Sequence, residues 1–416
     1  MNSEFENWKK NIIIFLSSQT ISLFGSSLVQ YAIMWHITLT TQSGMMMTLF
    51  ILCGFIPTFI LSPFAGVWAD RYNRKVLIIL SDGLIAVATL VMAIVFLMGY
   101  EALWLLFAMA AVRAIGTGIQ GPAVGAILPQ IVPEDKLTKV SGINGSIQAT
   151  IMFVSPMVSA ALLTMATLEI IFFVDVVTAA IAIVTLLVFL KIKVHAKASE
   201  LQTTSYFSDF KAGLTYINNH AFLKKFFLFF SLFFVLMAPA AFLTPLQVTR
   251  SFGDDVWRLT AIEIAFSIGM MVGGGIIASW GGFSNKVHTM TLASIIMGIC
   301  TIALGVMPIF WAYLLFMAIF GVSMPVFNTP TTVLIQERVE GDFLGRIFGV
   351  FGMIATSMMP IGMLIFGPMA DVVRVEWILL GTGVLMIILG LLLGRNKVLL
   401  KAGEPVVVPE SSDLTL

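Results

Sequence analysis

Gly66-Val67-Trp68-Ala69-Asp70-Arg71-Tyr72-Asn73-Arg74-Lys75 is a short polar turn set between two long apolar runs. Residues 45–69 before it and 75–99 after it are each long and apolar enough to cross a bilayer, which takes ~20 residues as a helix. Three cations crowded into so short a turn mark the side of a membrane on which positive loops are retained. The stretch therefore reads as a cytoplasmic connection between two transmembrane helices, with Asp70 the one acidic residue among Arg71, Arg74 and Lys75.

The same alternation continues in both directions. The chain has 416 residues, of which 59% are hydrophobic and 11% charged. A soluble domain carries about 25% charged residues. This composition excludes an ordinary soluble enzyme, and two cysteines, Cys53 and Cys300, exclude a disulfide scaffold. Unbroken apolar runs exclude a transmembrane β-barrel, whose strands alternate. The net charge of +1 gives no basic surface for nucleic acid.

The runs predict helices over 12–37, 45–69, 75–99, 102–127, 141–166 and 168–190, then 223–248, 259–281, 287–308, 310–335, 346–369 and 376–394. The expected fold class is an all-α integral membrane protein with twelve transmembrane helices in two six-helix pseudo-repeat bundles. The expected division is 1–190, a cytoplasmic linker 191–222, 223–395, and a disordered cytoplasmic tail 396–416. The first run follows Lys9 and Lys10 without a cleavage site and is expected to be a retained helix. With the N-terminus inside, the inside segments hold 19 of the 23 Lys and Arg residues and the outside loops hold 3, Arg250, Arg258 and Arg374. That asymmetry puts both termini in the cytoplasm and requires an even number of spans.

The halves resemble one another. Trp280-Gly-Gly-Phe-Ser-Asn-Lys-Val echoes Trp68-Ala-Asp-Arg-Tyr-Asn-Arg-Lys-Val, and Pro330 in the tenth span matches Pro122 in the fourth. In such repeats a substrate sits near the bilayer midplane and access alternates as one half rocks against the other.

Charges inside apolar spans are the candidates for function. Arg113 lies about 11 residues, hence ~16 Å, into the fourth span, near mid-membrane. Such a charge faces a cavity, a partner or neighbouring carbonyls. Asp82, Asp175 and Glu263 lie one to two turns inside their spans. A carboxyl removed from water holds its proton more readily, as proton exchange requires. Asp175 is the deeper of the two outer-side acids and the first candidate. Asp82 has the alternative of a capping role, and Glu263 and His36 the alternative of an interfacial position.

Arg113-Ala-Ile-Gly116-Thr-Gly118-Ile-Gln-Gly121-Pro122 contains a GxGxxG pattern, but no strand precedes it and it lies within an apolar span, so no dinucleotide is expected. There is no phosphate-binding lysine loop, no HExxH and no nucleophile elbow, so neither ATP hydrolysis, enzyme activity, metal nor cofactor is expected. Ser155-Pro156-Met-Val-Ser159-Ala160 in the fifth span and Pro360-Ile-Gly362 in the eleventh are small-residue and proline sites for close packing or hinging. The 34 Phe and 25 Met residues could supply an adaptable apolar cavity.

The turn at 66–75 resembles the signature loop of the major facilitator superfamily, with Gly66 in the close-packing position. The resemblance implies a conformational latch in which Asp70 bridges to the other half, with Arg346 the matching cation. Arg113-x-x-Gly116-x-Gly118 with Pro122 resembles the superfamily's helix-four motif, whose arginine is linked to proton coupling. Ser155-Pro156 keeps the proline of the antiporter G-P-x-x-G-G pattern, with small residues for its glycines. Gly54-Phe-Ile-Pro57, Val132-Pro-Glu-Asp-Lys-Leu-Thr-Lys139, Glu263-Ile-Ala-Phe266 and Leu344-Gly-Arg346 resemble the Mef-type macrolide efflux family of drug:proton antiporters. What the resemblance implies is export of lipophilic drugs across a bacterial cell membrane, driven by protons; the alternative is export or import of another substrate, such as a siderophore, lipid or nutrient. In that expectation Asp175 or Glu263 neutralises the drug's amine and releases it on protonation.

Overall fold

A computed structural model describes residues 7–190 and 206–405. It contains α1 (Trp8–Thr41), α2 (Gly44–Arg71), α3 (Arg74–Leu97), α4 (Leu103–Ile131), α5 (Glu134–Met165), α6 (Leu168–Phe189), α7 (Tyr206–Asn219), α8 (Ala221–Phe242), α9 (Thr244–Ser251), α10 (Val256–Trp280), α11 (Lys286–Val306), α12 (Phe310–Arg338), α13 (Gly341–Val372), α14 (Val375–Arg395) and α15 (Lys397–Gly403). There is no strand among the described residues. Among the described residues, twelve segments are long and apolar enough to cross a membrane, α8 and α9 together forming one of them. The chain is a multi-pass membrane protein.

The chain divides into two compact units, Met1–Thr203 with Pro245–Ile264, and Thr204–Thr244 with Ala265–Leu416. In the first unit α2 packs on α4, α1 on α5 and α6, and α3 on α4 and α6. A core of Leu28, Ile33, Phe50, Phe96, Leu106 and Phe172 fills one end, and Phe15, Ile78, Ile127 and Leu186 fill the other. The outward side of α3 exposes Val87, Val91 and Ile94, and that of α6 exposes Ile181, Val184 and Leu187. Large apolar side chains exposed at helical spacing along a whole helix suit lipid rather than water.

In the second unit α11 packs on α12 and α14, and α8 on α13 and α14. Its centre is aromatic: Phe233 of α8 stacks on Phe327 of α12 with centroids 4.7 Å apart, and Phe230 meets Phe351 of α13 at 5.1 Å. Gly298 and Gly383 bring α11 and α14 together, since a Cβ on either would lie 2.8 Å from the other's carbonyl oxygen.

Four boundaries differ from the sequence expectation. Residues 134–140 continue α5 rather than forming a loop, because Pro133 sets the N-terminus. Prolines are tolerated at a helix start, where no amide partner is lost. Residues 341–345 likewise extend α13. The expected linker 191–222 contains α7, which is held by Tyr216: its ring stacks between His220 and Phe343, with centroids at 4.0 and 4.3 Å. Residues 191–205 lie outside the described residues.

The fourth difference is at the C-terminus. Instead of becoming structureless at 396, the chain forms α15. The Asn396 side chain caps it by accepting from the amides of Val398 and Leu399, and Arg338 donates to the carbonyls of Ala402 at 2.7 Å and Glu404 at 2.6 Å. The remainder of the expected tail, 406–416, lies outside the described residues.

Candidate functional site: two polar stations inside the first unit

Polar residues in α1, α3, α4 and α6 meet where four apolar helices cross. Glycines set how closely they do so. A Cβ on Gly25 would lie 1.9 Å from Thr178 Oγ1 and 3.2 Å from the Asp175 Cα, so α1 touches the backbone of α6. A Cβ on Gly116 would lie 2.6 Å from Ile85 and 3.1 Å from the Ser81 carbonyl, and one on Gly118 would lie 3.1 Å from Thr58 Cα. Small residues at such crossings replace the hydrophobic drive that lipid does not supply.

The first station joins Arg113 of α4 to Asp175 of α6. Asp175 is 0% exposed and Arg113 7%. Arg113 Nη1 forms an ion pair with Asp175 Oδ2 and also reaches Thr89 Oγ1 of α3. The Thr89 hydroxyl donates to Oδ2 at 3.0 Å, and the Ser26 hydroxyl of α1 donates to Oδ1 at 3.1 Å. Arg113 Nη2 donates in turn to the Ser26 carbonyl at 3.2 Å. A buried pair with its lone pairs and N–H groups engaged in this way offsets the desolvation of both charges.

The second station is centred on Asp82 of α3, which is 1% exposed. Its Oδ1 accepts from the Ser22 hydroxyl of α1 and from Gln120 Nε2 of α4, both at 2.7 Å. Gln120 Nε2 also lies 3.5 Å from Gln19 Oε1. Asp82 Oδ2 and Gln19 Nε2 are buried and have no hydrogen-bond partner among the described residues.

Glu263 does not join either station. It is half-buried on α10, within electrostatic reach of Tyr31 of α1, and no hydrogen bond or ion pair engages its carboxylate among the described residues. The structure thus brings Arg113 and Asp175 into contact, gives Asp82 its own neutral partners, and leaves Glu263 apart.

Two cations of the 66–75 turn, Arg74 and Lys75, bind helix ends within the first unit. Asn73 caps α3 by accepting from the Lys75 amide at 3.0 Å. Arg74 donates to the carbonyls of Ala69 at 2.9 Å and Ala126 at 2.8 Å, and Lys75 Nζ to the Leu190 carbonyl at 2.7 Å. A cation at a helix C-terminus meets both free carbonyls and the negative end of the helix dipole. Arg71 is exposed, and the Asp70 side chain lies outside the described residues. A Cβ on Gly66 would meet nothing within 4 Å among the described residues. Arg346, on α13, places its guanidinium 5.4 Å from the Phe343 ring centroid.

Pro122 and Pro156 lie within α4 and α5, which continue through them. Ser155 is fully buried, and nearby Ser159 donates to the Leu28 carbonyl at 3.0 Å, tying α5 to α1. Pro360 and Gly362 lie in α13, and a Cβ on Gly362 would lie 2.7 Å from the Val235 carbonyl of α8.

Five polar partners were missed in the sequence: Gln19, Ser22, Ser26, Thr89 and Gln120. Their spacing was readable. Residues 19, 22 and 26 follow a helical face, while 82 and 89, and 113 and 120, each repeat after seven residues. One polar stripe therefore runs along the inner side of α1, α3 and α4.

The Major Facilitator Superfamily model matches residues 11–363 of the chain. The chain is 31% identical over 387 residues to "Macrolide efflux protein A" of Streptococcus pyogenes, covering 92% of this chain and 95% of that protein. A protein of the same name from Enterococcus faecalis is 31% identical over 314 residues, covering 75% and 97%. Among solved structures, the nucleoside transporter NupG is similar in fold with a TM-score of 0.69 at 16% identity, covering 93% of this chain and 99% of that one. A bacterial homologue of the iron transporter ferroportin, in an inward-facing state, has a TM-score of 0.68 at 14% identity, covering 93% and 99%.

Proposed function

The chain belongs to the major facilitator superfamily and is a membrane transporter rather than an enzyme; from that premise we propose that it exports lipophilic, macrolide-type drugs from the cell in exchange for protons. The observation that carries the substrate class is the 31% identity to macrolide efflux protein A, which extends over 92% of the chain. Carboxylates placed inside apolar helices support the proton exchange, because ionisable groups at membrane depth mark ion and proton paths. Loop charges support a cell-membrane orientation with both termini cytoplasmic.

On this reading the acids divide the work. Arg113 already compensates Asp175. Glu263 has no such counter-ion among the described residues and is the group that receives the basic amine of a macrolide entering from the cytoplasm or the inner leaflet. Alternating access then turns the loaded site outward. When one cationic drug leaves for one proton, no net charge crosses, so the pH gradient alone drives the step. A neutral drug would draw on the membrane potential as well, worth about 2.3 kcal/mol per charge per 100 mV.

Purified protein in proteoliposomes tests this reading. A macrolide gradient should drive counter-movement of protons, seen with a trapped pH dye, and Glu263→Gln should weaken the response to cationic macrolides. Macrolide movement without proton movement would overturn the exchange, and no macrolide movement at all would overturn the substrate.

A further inference from the structure

The two stations differ in how their charges are balanced. At the first, Asp175 and Arg113 neutralise each other, and Ser26 and Thr89 occupy the remaining lone pairs. A proton added there would break an ion pair. At the second there is one carboxyl group and no cation among the described residues. Its partners Ser22, Gln120 and Gln19 are neutral; Ser22 and Gln120 both hold Oδ1, and Oδ2 accepts no hydrogen bond within 3.5 Å among the described residues.

We propose that Asp82, anchored by Ser22 and Gln120 through one oxygen and free at the other, carries the proton that is exchanged for substrate; the inference rests on the exchange reading above. An ionised carboxylate with a bare oxygen away from water is expensive. Binding a proton at Oδ2 removes the charge and leaves both bonds to Oδ1 in place. Neutral anchors of this kind hold the group in either protonation state, whereas an arginine would lock it as the anion. Gln19 of α1 faces the same carboxyl as a further neutral partner.

The charged groups facing this carboxyl belong to the first station. Asp175 of α6 acts on it electrostatically, and Arg113 of α4 is paired with Asp175. From α1 the facing groups are Gln19 and Ser22, neither of them titratable. The stations stand seven residues apart on α3 and α4, which is ~10 Å along each helix. Loading Asp82 therefore changes the electrostatic balance around the Arg113–Asp175 pair that joins α4 to α6. The proton site and the drug-binding acid Glu263 are separate, so protonation and drug binding are coupled through the conformational equilibrium of the protein rather than by competition for one carboxylate.

Infrared difference spectroscopy of the lipid-reconstituted full chain, between alkaline and acidic buffer, reads the group directly. The wild type should gain a protonated-carboxyl C=O band on acidification. Asp82→Asn should lose that component, Asp82→Glu should shift it, and Glu263→Gln should retain it. Drug-driven proton movement should disappear in Asp82→Asn, while exchange of labelled for unlabelled macrolide at equal pH persists. Identical spectra for wild type and Asp82→Asn would overturn the proposal. So would a band that responds to sodium ions instead of protons, or loss of macrolide exchange in Asp82→Asn. If the band titrates at Asp82 but no macrolide moves protons in the wild type, the export reading fails, and with it the coupling of this proton to substrate, while Asp82 as the proton-accepting carboxyl stands.

Discussion

Replacing Asp175 with Asn leaves Arg113 as an uncompensated cation at a site where the arginine is only 7% exposed. The side chain keeps its shape. Its remaining oxygen can accept from Arg113 and Thr89, and its amide can face a Ser26 hydroxyl turned to accept. The number of hydrogen bonds is therefore nearly maintained, and the loss is that of charge. Unit charges ~4 Å apart attract by about 4 kcal/mol at an effective dielectric constant of 20. Breaking a buried pair by removing one partner costs about 3–5 kcal/mol, in the same range. Arg113→Met should cost a similar amount by stranding Asp175. The double variant should be more stable than the sum of the single losses by about 3 kcal/mol, since it strands neither charge. Unfolding of the purified proteins in mixed micelles, followed by tryptophan fluorescence, supplies the four stabilities of the cycle. Single losses that add to within about 0.5 kcal/mol would refute the pairing as an energetic unit.

Other substitutions test the packing and the caps. Gly321→Val should abolish folded yield, measured by size-exclusion chromatography, because a Cβ at Gly321 lies 2.2 Å from the Phe266 carbonyl oxygen; Gly121→Ala, with nothing within 4 Å, should not. Lys75→Ala should lower stability by about 1 kcal/mol through loss of the α6 C-terminal contact at Leu190, with smaller losses at high salt. Arg338→Ala should release α15, seen as faster amide exchange over 397–403 with exchange in α3 unchanged.

The spans were legible because length and apolarity are properties of a single run of chain. Even so, the extension of α5 back to Glu134 was hidden, since a helix that leaves the membrane can be as polar as a loop. The helix α7 was hidden for a similar reason: it is held by Tyr216 stacking on Phe343, a contact between residues far apart in sequence. The end of the chain follows the same logic, because α15 depends on Arg338 of α12.

At the candidate site, Arg113 and Asp175 stood out one by one as charges in apolar surroundings. Their pairing did not, because 62 residues separate them and only the crossing of α4, α3 and α6 brings them together. Asp82 was visible on the same ground, but its unshared oxygen was not. The serine, threonine and glutamine partners were obscured because each such residue is ordinary when taken alone in a transmembrane helix, and only their repeat at helical spacing marks a shared face.

Proton-driven export of macrolides is tested most directly by accumulation of a labelled macrolide in cells that express the chain, with and without an uncoupler. Expressing cells should hold less drug than cells without the chain, and the uncoupler should raise them to the same level. Equal accumulation in both kinds of cell, or a difference that survives the uncoupler, would contradict it.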